Sequence, residues 1–143
     1  MKQLAILWRF ARPHTVLGSV VSICTLYVMV VHPLGVQHFG LLAAALLIGI
    51  TCNVFIVGIN QIADVSIDRI NKPQLPLPSG ELSPAQAHRI VGACLVISLV
   101  TAALISPYLL GIIAFSNGIG WAYSMPPFHL KRHHVTAALA IAT

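Results

Sequence analysis

Residues 39–73 read FGLLAAALLIGITCNVFIVGINQIADVSIDRINKP. From Phe39 to Ile62 no residue carries a formal charge. A helix needs about 20 predominantly apolar residues to cross the hydrocarbon of a bilayer, and this run supplies them. It then meets Asp64, Asp68, Arg69 and Lys72 within a few positions. A long apolar segment that ends in a compact charged cluster reads as a membrane span running into water. Backbone N–H and C=O groups in lipid must be satisfied within the segment, so the span is a helix.

The pattern repeats outward from this stretch. Apolar runs cover about Thr15–Val31, Ile90–Ile105 and Tyr108–Ser124, the last interrupted by Asn117 and glycines, and a fifth opens at Val135 and reaches Thr143. Of the 143 residues, 57% are hydrophobic and 8% charged, whereas soluble domains carry about a quarter charged residues. A water-soluble globule of this size has too much surface to hide such a composition. The expected fold is all-α: a polytopic membrane helix bundle of four transmembrane helices plus the start of a fifth. A nucleic-acid-binding domain, a cytosolic redox protein and a disordered tail are excluded. The fifth run is too short to span, so residues 1–143 are expected to be the N-terminal part of a single larger domain.

The charges divide the connections into two kinds. The chain has eight Lys and Arg against three acids, a net charge of +5. Every base falls on the N-terminal segment (Lys2, Arg9, Arg12), on Ala63–Arg89 or on Met125–His134, and none on His32–His38 or Ser106–Pro107. The positive-inside rule therefore places the N-terminus and the Ala63–Arg89 loop in the cytoplasm. The basic N-terminus and the apolar run after it lack a small-residue cleavage site, so the mature protein is expected to begin at Met1. Cys24, Cys52 and Cys94 are odd in number, widely spaced and set in apolar runs. They read as small buried hydrophobes rather than a disulfide or zinc framework.

The three acids, Asp64, Asp68 and Glu81, confine acidic chemistry to one region. Asn60, Asp64 and Asp68 are spaced i, i+4, i+8, which on a continuous helix stacks them on one face. Two carboxylates a turn apart suit a hard cation. Mg²⁺ typically binds through one or two carboxylates together with phosphate oxygens of a substrate. Arg69 and Lys72 stand just beyond and can hold the same anion. The plainer alternative is an ordinary polar helix end, with Asp68 paired to Lys72 at i+4. Ionisable groups at the edge of a span are more often functional than those on a soluble helix.

The run NQIADVSIDRINKPQLPLPSGE, residues 60–81, resembles the first aspartate-rich motif of the UbiA superfamily of intramembrane prenyltransferases. Its longer form is most similar to the homogentisate phytyltransferase branch. Trp8–Thr15 resembles that branch's entry to its first helix, and YSMPPFHLKR, residues 123–132, resembles its Y-S-x-P-P-x-x-L-K-R motif. Chlorophyll synthases and archaeal lipid prenyltransferases share N-x-x-x-D-x-x-x-D-x-I-N but tend to read R-P-I-P-S-G where this chain reads LPLPSG.

The resemblance implies a bundle of nine membrane helices around a cavity, with two aspartate-rich motifs holding Mg²⁺ and a prenyl diphosphate. Asn60, Asp64 and Asp68 match the first motif as catalytic residues, with Asp64 and Asp68 as metal ligands. Lys72 matches a base of the loop capping the diphosphate, with Arg69 beside it. Tyr123 matches a tyrosine near the site. Arg12 matches a basic position at the start of helix one, a candidate to face the aromatic acid. The second aspartate-rich motif is absent, because all three acids are already placed. The implied reaction moves a phytyl-like isoprenoid from its diphosphate to an aromatic acceptor, homogentisate, in tocopherol or prenylquinone synthesis. The implied setting is a prokaryotic cell membrane or a thylakoid membrane. The rivals are another UbiA branch (chlorophyll synthase-like, menaquinone or archaeal lipid) and a non-enzymatic membrane subunit or transporter half, with Asp64 and Asp68 as a cation path.

Local signals complete the reading. Ser83-Pro84-Ala85-Gln86 is a capped helix start with proline at the first helical position. Pro126-Pro127 ends the fourth span. His133-His134 reads as an interfacial anchor, since adjacent helical residues do not face each other.

Overall fold

The computed structural model describes residues 2–31, 33, 38–132 and 134–142; most of the His32–His38 turn, His133 and Thr143 lie outside them. Seven α-helices follow in order: α1 (Lys2–Phe10), α2 (Pro13–Val31), α3 (Phe39–Ala63), α4 (Val65–Asn71), α5 (Pro84–Ile105), α6 (Pro107–Ser124) and α7 (His134–Ala142). No strand occurs among the described residues. The helix α3 is the hub and packs against α2, α5 and α6, while α5 and α6 pack on each other.

Among the described residues three helices are long and apolar enough to cross a membrane: α2, α3 and α5. The expected fourth span, α6, forms as one helix of 18 residues but does not join them. Its Ser116, Asn117, glycines and terminal Ser124 dilute its hydropathy, and Asn117 and Ser124 turn inward, where they are buried. Asn117 donates to Ser98 Oγ of α5 at 3.2 Å and accepts from Cys52 Sγ of α3 at 3.1 Å. These bonds stitch three helices together in a medium that offers no water as an alternative partner. Cys52 is therefore more than the small hydrophobe its setting suggested.

The N-terminal segment holds a helix that hydropathy along the chain did not announce. The helix α1 is too short to span, and its Phe10 enters the core under α3 and α5. Gly58 makes this possible. A Cβ there would stand 2.5 Å from Val91 Cγ2 and 3.1 Å from Phe10 Cζ. Gln61, fully buried on α3, donates to the Phe10 carbonyl at 2.7 Å. The chain then turns through Arg12, whose φ of 53° lies in the left-handed region. The Arg12 carbonyl accepts from the Thr15 N–H at 2.9 Å, which starts α2.

The Ala63–Arg89 connection is not an open polar loop. It contains α4, and α5 already begins at Pro84. Ser83 caps α5 by accepting from the Gln86 N–H at 3.2 Å, and Gln86 Oε1 accepts from the Ser83 N–H at 2.9 Å. Between these helices Leu77 and Leu82 are buried against Phe10, Phe55 and Ile59. The turn closes on itself through Leu82 N–H to Pro76 C=O at 2.9 Å, with Gly80 at φ +80°, where a side chain would be strained. The apolar residues of the loop thus pin it across one end of the bundle.

Candidate active site

The helix expected to stack Asn60, Asp64 and Asp68 on one face is broken at its middle residue. The helix α3 ends at Ala63, and Asp64 serves as both its C-cap and the N-cap of α4, with φ −99° and ψ 10°. Asp64 itself stays bonded on both sides of the break: its N–H donates to the Asn60 C=O at 3.0 Å and its C=O accepts from the Asp68 N–H at 2.8 Å.

Each member of the stripe has a partner. Asn60 Nδ2 donates to Ser124 Oγ at the end of α6, at 3.3 Å. Asp68 is 5% exposed and lies 3.7 Å from Lys72 Nζ, the i+4 pairing foreseen as the plain alternative. Asp64 is ion-paired with Lys131 at 2.5 Å. Sequence reasoning placed Lys131 only among the charges of a loop. Its arrival at Asp64 depends on the turn after α6. Met125 is extended, with φ −105° and ψ 150°; His129 takes φ 42°; and a short 3₁₀ turn, Leu130–Arg132, carries Lys131 back to α3. The only signal in the sequence was the final K-R of the YSMPPFHLKR block.

The other expected residues distribute around this cluster. Arg12 and Lys72 line one cavity of about 510 Å³ between the α1–α2 elbow and the proline-rich loop, with Arg9 and His14 beside them. Arg69 is exposed and takes part in no ion pair among the described residues. The structure does not bring it to Asp64. Glu81 pairs with Arg9 instead of joining the cluster. The guanidinium holds the Glu81 carboxyl below the ordinary carboxylate value, chiefly through their hydrogen bond.

Tyr123 is half-buried and lines a cavity of about 500 Å³ with Ile56, Ala140 and the α6 residues Ile112, Phe115, Ser116, Ile119 and Gly120. Ile56 is one turn below Asn60 on α3, and Asn60 is one turn below Asp64. Along this side of α3 the residues change from the carboxylate of Asp64 to the amide of Asn60 and then the hydrocarbon of Ile56, of which only Ile56 lines the cavity. An amphiphile with an anionic head and an apolar tail has the same order of groups. Gly120 allows the close approach of Ile56, since a Cβ there would stand 2.6 Å from Ile56 Cγ1.

The donor set near Asp64 is made of hard oxygens, and Asp64 already faces one positive charge, the Lys131 ammonium. Two carboxylates and an amide oxygen fit Mg²⁺ in donor type. Among the described residues no three His, Cys, Asp or Glu converge, so this stretch offers part of a coordination sphere.

The fold is that of a membrane helix bundle with carboxylates paired to ammonium groups at the end of a span-length helix. Residues 21–143 match the model of the UbiA prenyltransferase family, and the chain belongs to that family. It is 43% identical over its whole length to the homogentisate phytyltransferase of Synechocystis sp., covering 48% of that protein. It is 36% identical to the chloroplastic homogentisate solanesyltransferase of Arabidopsis thaliana, over 95% of this chain and 36% of that one. A solved structure, from a study of digeranylgeranylglyceryl phosphate synthase in membranes, superposes with a TM-score of 0.89 at 22% identity. It covers 99% of this chain and 49% of its own, and at that identity it speaks for the fold alone. The chain thus spans about half the length of the cyanobacterial relative and about a third of the plant one.

Proposed function

We propose that this chain supplies the diphosphate-gripping part of a prenyltransferase that joins an isoprenoid to homogentisate. The observation that carries the reading is the pairing of Asp64 with Lys131 and of Asp68 with Lys72, with Asn60 one turn before Asp64 at the end of a membrane-length helix. The curated relatives named for homogentisate support the acceptor, and the cyanobacterial one supports a phytyl-like donor.

In this reading Asp64 and Asp68 hold Mg²⁺, with Asn60 beside them. The bound cation would neutralise the charge that gathers on the diphosphate as its bond to the isoprenoid carbon breaks. Lys131 and Lys72, which now face the two carboxylates, offer ammonium groups to the same oxygens. Arg12 and Arg69 extend the positive field at the membrane surface, with Arg12 in the cavity it shares with Lys72. The apolar walls below Tyr123 exclude water from the allylic cation. The homogentisate ring attacks that carbon. Loss of CO₂ and of a proton then restores aromaticity.

The test uses the full-length polypeptide that carries this segment, in membranes with Mg²⁺, homogentisate and phytyl diphosphate. Asp64→Asn removes one charge at nearly constant volume. Prenyl transfer is expected to fall by about two orders of magnitude, the scale of losing a contact to charge developing in the transition state. Unchanged turnover at saturating Mg²⁺ would return Asp64 to the role of a helix-end partner for Lys131.

A further inference from the structure

Two amide side chains of α3 hold the elbow between α1 and α2. Gln61 is fully buried, and its Nε2 donates to the Phe10 carbonyl at 2.7 Å. Its Oε1 has no hydrogen-bond partner among the described residues. A buried amide oxygen left unpaired makes Gln61 an unfavourable way to fill space that a methionine would fill without that cost. The bond to Phe10 is therefore the part of this side chain that calls for a reason. Asn53, about two turns earlier on α3, donates to the Thr15 carbonyl at 3.2 Å, and Thr15 Oγ1 donates to the Arg12 carbonyl at 2.9 Å. The chain is thus held on both sides of Arg12.

Arg12 is the residue that this holding constrains. Its φ of 53° is left-handed, a conformation that a non-glycine residue keeps only where the surrounding structure imposes it, and such residues cluster at functional sites. The Arg12 side chain is half-buried and lines the cavity it shares with Arg9, His14 and Lys72. Two cations of that cavity are already engaged, Arg9 with Glu81 and Lys72 with Asp68. Arg12 forms no ion pair among the described residues. A guanidinium kept half out of water, with no acid of its own chain beside it, is set to take an anion from outside the chain.

We propose that Gln61 is a positioning residue: by fixing the Phe10 carbonyl it sets Arg12 to grip an anionic group of a substrate. The proposal rests on the prenyltransferase reading above, in which two such groups exist, the homogentisate carboxylate and the diphosphate. Gln61 acts through the elbow rather than by contact with either. Thr15 supports the same elbow from the α2 side.

The experiment measures kcat and KM for homogentisate and for phytyl diphosphate in the full-length polypeptide in membranes. Gln61→Met removes the donor, and the unpaired oxygen with it, at similar volume. The KM of the substrate that Arg12 grips is expected to rise about tenfold with kcat little changed, the pattern of a lost binding contact. A rise for homogentisate identifies the carboxylate as the anion, and a rise for phytyl diphosphate identifies the diphosphate. Thr15→Val should shift the same KM in the same direction, and it carries the test if Gln61→Met does not accumulate in membranes. In an Arg12→Ala background, Gln61→Met should add nothing, because the two residues act as one unit. Unchanged KM values, a loss confined to kcat, or a tenfold effect that persists in Arg12→Ala would overturn the positioning role while leaving prenyl transfer intact. Absence of any prenylated homogentisate from the parent protein would overturn the prenyltransferase reading, and this role with it.

Discussion

At the scale of single residues, the site is organised by ion pairs of two kinds. Asp64–Lys131 and Asp68–Lys72 gather charge where α3 meets α4, while Arg9–Glu81 lies apart and clasps α1 to the proline-rich loop. The two groups of the clasp are exposed, so its contribution is that of a screened surface pair. Its pH dependence has a definite sign. The Glu81 carboxyl is held below its ordinary value by Arg9, so the folded form binds its proton less readily than the unfolded one. The clasp is intact above the ordinary carboxylate range and is lost as pH falls through the lowered value. Fluorescence of Trp8, which sits beside Arg9 on α1, should report release of the helix on acidification in low salt. Glu81→Gln should abolish that transition. A transition unchanged in Glu81→Gln would assign it to another group.

At the scale of elements, the helix α5 shows how local chemistry sets a boundary. Ser83 and Gln86 form a reciprocal capping box and Pro84 occupies the first turn, where its missing N–H costs nothing. Ser83→Ala should destabilise the bundle by about 1 kcal/mol, measured by unfolding in mixed detergent micelles. No loss would mean that packing of Ala87 and Val91 alone holds the helix start. This cap and the long apolar runs were legible in the sequence because each is a local pattern. So was the spacing of Asn60, Asp64 and Asp68. The break at Asp64 was not, since no proline or glycine marks it and Asp64 keeps its own i→i−4 bonds on both sides while its dihedral angles depart from helix. Lys131 was not legible as a partner of Asp64 because that pairing depends on a backbone turn at His129. The inward placement of Leu77 and Leu82 was hidden by the prolines and polar residues around them. The helix α1 was missed as an element because it is short and its anchor is a single aromatic, Phe10.

At the scale of the whole molecule, charge and stoichiometry make separate demands. Every Lys and Arg lies on alternate connections, so we propose that the cap formed by α4 and the proline-rich loop faces the cytoplasm together with the Lys131 turn. Cysteines introduced at Ser79 and Phe128, both at exposed or half-exposed loop positions, in a variant lacking Cys24, Cys52 and Cys94, should resist an impermeant thiol reagent added outside intact cells. Labelling of either from outside would reverse the orientation. The second demand is on charge at the site. A prenyl diphosphate brings about three negative charges, and the proposed grip calls for a two-metal clamp. The three acids of this chain are all engaged, two in the cluster and Glu81 with Arg9. We propose that Asp64 and Asp68 supply one half of such a clamp. The most direct measurement expresses this chain in membranes alone and together with the C-terminal half of the Synechocystis relative, with Mg²⁺, homogentisate and phytyl diphosphate. Prenylated homogentisate is expected only when both halves are present, and Asp64→Asn in this chain should remove nearly all of it. Turnover by the chain alone, or undiminished turnover of the complemented pair carrying Asp64→Asn, would contradict the account.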